Sequence, residues 1–272
     1  MAIMINPAAI RIEACSICQL RCPLCPRTRG ETADVIGRGV LKFDDFRRFI
    51  DRNPQIRSVE LGNFGEVFLN KELPKILEYA HLRQVTTEID EGANLNDATD
   101  EALEALVKYR TARVRCAVDG VTRESYSKYR VGGDLGKVIA NIQKINFLKD
   151  RYASALPRLI FQFVVFSHNE HEMDRAGLLA KMLRMDLDFK LNFFPGGLPV
   201  QNRDRIRQYL GYADRAEFMQ QKRRHYCRRQ CSEMWQRPQI NWDGKLLGCC
   251  RNIWGSYADN MFEADLVSCV NN

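Results

Sequence analysis

The chain has 272 residues, 45% of them hydrophobic and 28% charged, and a formal net charge of +7. That balance is ordinary for a globular protein, and the length suits one barrel-sized domain with a small appendage. No run of about 18 apolar residues is present, and the first residues lack a basic stretch leading into an apolar one. Neither a membrane span nor a signal peptide is read, and the expected location is the cytoplasm.

In chain order, β-branched runs alternate with helical spacing. Strands are expected at residues 10–14, 56–61, 84–89, 112–118, 158–166 and 188–193. Helices are expected between them at 43–51, 71–82, 97–109, 123–128 with 135–148, and 170–184. Strict alternation argues for a parallel sheet with helices outside it. Each unusual motif falls just after a strand: cysteines after the first, residues 62–66 after the second, Asp90-Glu91-Gly92 after the third and Asp119-Gly120 after the fourth. Site loops spread over consecutive strand ends suit a barrel better than the single crevice of an open doubly wound sheet. The expected fold class is α/β, a partial (β/α)6 barrel over residues 1–200. A basic helical connector at 201–230 and a small cysteine-containing C-terminal extension at 231–272 follow, with Asp243-Gly244 as a hairpin-type turn.

The connector carries almost all of the excess charge: residues 202–229 hold nine Lys/Arg against three Asp/Glu. A solvated helical face accounts for this, and a basic wall beside an anionic group is the sharper alternative. No nucleic-acid module or basic–aromatic interleaving accompanies it, which argues against nucleic acid as a partner.

Ten cysteines is a high count for a reducing compartment, where closely spaced thiols point to metal or redox chemistry. They form two groups, Cys15, Cys18, Cys22 and Cys25 near the start and Cys227, Cys231, Cys249, Cys250 and Cys269 near the end, with Cys116 between. Cys18, Cys22 and Cys25 place three soft ligands in an eight-residue loop, enough to hold an iron–sulfur cube with one iron open. A zinc site from the pairs Cys15/Cys18 and Cys22/Cys25 is the alternative, although only three residues separate the pairs, against about 15–20 in a zinc ribbon.

Cys-x-x-x-Cys-x-x-Cys after the first strand of a partial barrel resembles the signature of the radical S-adenosylmethionine (SAM) superfamily. The resemblance implies a [4Fe–4S] cluster on Cys18, Cys22 and Cys25. SAM would chelate the open iron through its amino and carboxylate groups. It would be cleaved reductively to methionine and a 5′-deoxyadenosyl radical that takes hydrogen from a substrate C–H bond. Phe64-Gly65-Glu66-Val67 resembles the family's Gly-Gly-Glu-Pro element, which implies that Gly65 and Glu66 meet the SAM ammonium. Asp119-Gly120 with Tyr126 and Arg130 looks like the family's stretch after the fourth strand. On that likeness Arg130 meets the SAM carboxylate, Gln162 the ribose, and Asp119 and Leu24 join the SAM-binding set.

Near the end, Cys231, twelve residues, Gly244, four residues and Cys249 resemble the opening of the SPASM/twitch extension. The resemblance implies a second [4Fe–4S] cluster, with Cys231, Cys249, Cys227, Cys250 and Cys269 as candidate ligands. Alternatively Cys249 or Cys250 donates a hydrogen atom to a substrate radical, or these thiols are simply buried. The expected activity is oxidation, epimerisation or bond formation on a sugar-like small molecule or a peptide, with flavodoxin or ferredoxin as reducing partner. With no domain ahead of the barrel, a small molecule is favoured over a peptide. A zinc-stabilised basic protein binding RNA or another partner is the alternative from a different class.

Overall fold

The structure is a computed structural model that describes residues 4–192, 197–226 and 232–271. Six parallel strands form in sequence order: β1 (Ala9–Ile12), β2 (Ser58–Glu60), β3 (Thr86–Ala93), β4 (Arg113–Ala117), β5 (Arg158–Val165) and β6 (Asp186–Leu191). Each pairs with the next, in the order β6-β5-β4-β3-β2-β1, so the sheet is the open, unclosed partial barrel that the alternation predicts. The intervening helices are α1 (Phe43–Arg52), α2 (Leu73–Leu82), α3 (Asp100–Lys108), α4 (Arg123–Tyr129), α5 (Leu135–Arg151) and α6 (Met173–Met182). No helix among the described residues is long and apolar enough to cross a membrane.

Period-two alternation decides which face each strand residue takes. Ile10, Ile12, Val59, Ile89, Val114, Cys116, Phe161, Phe163 and Val165 are all buried in one core, which they share with helix residues such as Phe46, Ile76, Leu103 and Ile142. The alternate positions, Arg11, Glu60, Glu88, Asp90, Arg113, Arg115, Gln162, Asp188 and Lys190, face the concave side and pair there. The lumen of this partial barrel is therefore a polar, charge-paired layer rather than an apolar plug.

One sequence expectation is corrected. Asp90, Glu91 and Gly92 lie within β3, which runs on to Ala93 with a register shift between Ile89 and Ala93, rather than in a loop after it. These polar residues face the polar lumen, so composition misreads them as a turn. The connector is two helices, α7 (Arg203–Leu210) and α8 (Arg215–Lys222), broken at Gly211 with φ +80°. Its arginines pair with acids: Arg203 with Asp214 at 2.5 Å, Arg205 with Asp174 at 2.5 Å and Arg207 with Glu217 at 2.9 Å. This is the solvated face; such exposed pairs contribute about 0–1 kcal/mol each.

The hairpin read at Asp243-Gly244 is present. β7 (Gln239–Ile240) and β8 (Leu246–Gly248) are antiparallel, and Gly244 turns between them at φ +92°. β7 also pairs in parallel with β1, Arg11 opposite Gln239, so the hairpin extends the barrel sheet at its β1 edge. Trp242 at the hairpin turn donates to the Ile36 carbonyl at 2.8 Å, and its ring lies where a Cβ on Gly39 would be, 2.4 Å away.

Candidate active site

The cysteine loop leaves the C-terminal end of β1 and is held from three sides. Asn94, at the end of β3, donates to the Cys18 sulfur at 3.6 Å and accepts from Gln19 at 3.0 Å. Arg130, after α4, lies 3.6 Å from the Cys22 sulfur through Nη1. The Arg21 N–H donates to the Val131 carbonyl at 2.9 Å. Burial and the Glu66 carboxylate push the Cys18 thiol up to about 11, and burial also raises Cys22, with Arg130 pulling the other way. The Cys18 and Cys22 thiols are thus protonated at neutral pH until a metal displaces the protons.

As arranged here, no three His, Cys, Asp or Glu side chains among the described residues stand within ligating reach of one ion; a cluster instead spreads its cysteines over separate irons. The donor set fits one nonetheless: three free cysteines on a single irregular loop, two of them partly exposed. Cys15 is set apart from them by its burial at 1% exposure, with its thiol on the Ile17 carbonyl.

Residues 62–66 lie against this loop. A Cβ on Gly65 would sit 2.1 Å from the Cys15 carbonyl oxygen, so only glycine admits the contact. Glu13, whose role the sequence did not disclose, is fully buried and accepts from the Phe64 and Gly65 N–H groups at 2.8 and 3.1 Å. Glu66 is also buried; its carboxylate accepts from Phe68 N at 3.4 Å and Asn94 N at 2.7 Å, tying β2's loop to the end of β3. An open cleft follows, lined by Gly62, Asn63, Gly65, Glu91, Gly92 and Ala93 among others. Arg11, fully buried, meets Glu91 at 2.7 Å and Asn63 at 3.5 Å, two of the cleft's lining residues. Its Nε has no hydrogen-bond partner among the described residues, a buried donor that a polar occupant could satisfy.

Asp119, with φ +51° and no exposure, braces the opposite side. It accepts from Val164 N at 2.7 Å and holds Arg130 through Nε at 2.8 Å and through Nη2. Gln162 points into the lumen and accepts from Lys190 at 2.7 Å. Leu24 packs beneath Gly197, where a Cβ would fall 2.5 Å from its methyl carbon. Cys18, Cys22, Glu66 and Arg130 are therefore brought into one neighbourhood, with Gln162 farther along the lumen.

The second cysteine group divides. Cys250 is buried beside the cleft: its carbonyl accepts from Asn63 at 2.6 Å, and burial raises its thiol pKa, opposed by Arg11 and reinforced by Glu233 and Glu91. Cys249, its neighbour, is partly exposed. Cys269 is not brought to them. It lies in the terminal helix Leu266–Val270, whose first N–H donates to Asn53 at the end of α1, and the following Asn271 pairs with Ile5 ahead of β1. That is the opposite end of the sheet. Cys227 and Cys231 lie outside the described residues.

Buried carboxyls give the fold a pH dependence. Burial pushes Glu60 up to about 8 against the pull of Arg11, and pushes Glu13 and Glu66 up to about 7 against their N–H donors. Unfolded, each titrates near 4.5. The native chain holds more protons between these values, so this stability is complete below about 4.5 and is lost as pH rises through 7 to 8. The urea midpoint should fall between about pH 5.5 and pH 8.5, and Glu60→Gln should shrink that fall. A flat midpoint would mean that these groups ionise at no cost.

No protein-family model matches the sequence, and no curated protein matches it. Solved structures do match in shape. SuiB from Streptococcus suis superposes with a TM-score of 0.71 at 13% identity, over 98% of this chain and 66% of SuiB. A structure of anSMEcpe with bound AdoMet superposes at 0.65 and 14% identity, over 97% of this chain and 80% of that one. SuiB has also been solved bound to S-adenosylmethionine, at a TM-score of 0.68 to this chain. The chain thus spans just under two thirds of SuiB's length. Its fold is the partial barrel of the radical SAM enzymes. SuiB and anSMEcpe are two particular chains that share it, and at these identities the fold is what is held in common.

Proposed function

We propose that this chain is a radical SAM enzyme, with its cluster on Cys18, Cys22 and Cys25 and SAM in the cleft beside residues 62–66. The observation that supports this most is the nearness of Cys18 to Glu66 and of Cys22 to Arg130, on a loop that carries a third free thiol, Cys25, at the C-terminal end of β1. The same fold is solved with SAM bound in SuiB and anSMEcpe.

When bound, the cluster and SAM would, with one electron from a reductant such as flavodoxin or ferredoxin, supply reductive cleavage of SAM and hydrogen abstraction from a substrate carbon, giving methionine and 5′-deoxyadenosine. The chain's own residues bind and orient. Glu66 offers a carboxylate to an ammonium and Arg130 a guanidinium to a carboxylate, while Glu13 and Gly65 fix the backbone against the cysteine loop. Cys249 and Cys250, with Cys227 and Cys231, are the candidate residues for a second cluster; without one, Cys249 or Cys250 is the candidate donor of a hydrogen atom to a substrate radical. A neighbour, SuiB, is solved with its precursor peptide SuiA, so a peptide substrate joins the sugar-like small molecule as a candidate.

Anaerobic protein reconstituted with iron and sulfide, then given SAM and dithionite, should be brown and should release 5′-deoxyadenosine. A colourless protein with stoichiometric zinc and no 5′-deoxyadenosine would sink this reading in favour of a zinc-stabilised binding protein.

A further inference from the structure

The concave face of the sheet pairs almost every charge it carries. Arg115 lies between Asp90 and Asp188. Arg113 meets Glu88 and Asp90 at 3.6 and 3.0 Å, and Arg11 meets Glu91. Lys190 breaks this pattern. It sits between Phe189, which packs on Phe163 and Tyr209, and the buried Leu191, so strand alternation turns its ammonium to the lumen. No carboxylate among the described residues pairs with it; its hydrogen-bond partner is the Gln162 amide oxygen at 2.7 Å. An amide dipole neutralises no charge, so the nearby carboxylates Glu91, Asp188 and Asp90 act on this partly buried cation only from beyond ion-pair distance. Burial and nearby Arg115 lower its pKa, against the pull of those three carboxylates.

The position is informative as well. The Gln162 amide nitrogen lies 3.1 Å from where a Cβ on Gly92 would stand, and Gly92 lines the cleft. Gly92 has φ +111°, so the backbone there is shaped to let Gln162 approach. Lys190 and Gln162 are thus separated from the cleft by a residue without a side chain. An occupant of the lumen reaching the ammonium would also reach the mouth of the cleft.

Resting on the reading of that cleft as the SAM site, we infer that Lys190, oriented by Gln162, is the substrate-recognising cation of the lumen, and that the substrate presents a carboxylate to it. The shared chemistry is a carboxylate on an ammonium; the other source of one is SAM itself, and the two are separable.

The test uses reconstituted, SAM-saturated protein titrated calorimetrically with N-acetylglycine and with its neutral isostere N-acetylglycinamide. The acid should bind at least about tenfold tighter than the amide. Lys190→Met should weaken the acid by about tenfold to a hundredfold, the worth of one charge-assisted hydrogen bond, and erase the preference. Lys190→Arg should keep most of it. Equal binding of acid and amide to the native protein, or a preference that survives in Lys190→Met, would overturn the assignment. A loss in SAM affinity with the acid unaffected would also overturn it, since the carboxylate would then be SAM's. Failure to cleave SAM is read separately, as 5′-deoxyadenosine, and the acid–amide comparison repeated on cluster-free protein still decides Lys190.

Discussion

Replacing Cys18, Cys22 and Cys25 together by alanine is expected to abolish 5′-deoxyadenosine formation completely. The three thiols sit on one loop whose backbone is fixed independently, by Ile17 on Glu66 N and by Val131 on Arg21 N. Loss of the sulfurs should therefore leave the fold in place and remove only the donors. Circular dichroism should be unchanged while iron falls. If the second centre is a full cube, the native protein carries about eight irons and the variant about four, since each cube holds four. Formation of 5′-deoxyadenosine by the triple variant would defeat the assignment of the cluster. Loss of all iron would instead assign Cys249 and Cys250 to the role of thiols without metal.

The second large effect should come from Arg130→Met. Asp119 is wholly buried, and its charge is balanced by Arg130. Removing one partner of a buried pair leaves an uncompensated charge and typically costs about 3–5 kcal/mol. Adding Asp119→Asn in the same chain should recover at least half of that loss, because an amide oxygen still accepts from Val164 N and no lone charge remains. Urea denaturation of the two single variants and the double measures this coupling. A single-variant loss below about 1 kcal/mol would mean that water reaches Asp119 and the brace is soft. Since Arg130 also lies on the Cys22 sulfur, the same variant should bind SAM and iron less well even where it remains folded.

Much of this was legible beforehand for a definite reason. β5 reads as a strand because its alternate residues Leu159, Phe161, Phe163 and Val165 are large, β-branched or aromatic and belong to the core. The cysteine loop is legible because thiols so closely spaced have few other uses. What escaped was polar and internal. Glu13 looks like a surface carboxylate until its two backbone donors are seen, and Asp90–Gly92 looks like a turn because a polar lumen inverts the usual meaning of charge in a strand. The signal for both was present in β1: arginine and glutamate at alternate positions of an otherwise apolar strand, Ile10-Arg11-Ile12-Glu13. Lys190 follows the same rule on β6, beside Asp188. The break in the connector at Gly211 was also available, as a glycine after a periodic run. The ligands of a second centre could not be sorted, because sequence distance does not reveal that Cys269 folds to the far end of the sheet.

The pairing of β7 with β1 bears on the order in which the protein is assembled. Domains generally take shape from the N-terminus during synthesis, and the partner of Arg11 and Ile12 is Gln239 and Ile240, which are made long after β1. Until they arrive, β1 is an exposed sheet edge, and the cysteine loop that continues from it lacks the Trp242 anchor at its return past Gly39. An unpaired edge invites other chains. A nascent chain therefore has its thiols accessible to iron donors, and equally to oxidants, before the hairpin docks. Docking of the β7–β8 hairpin then closes that window by pairing the β1 edge.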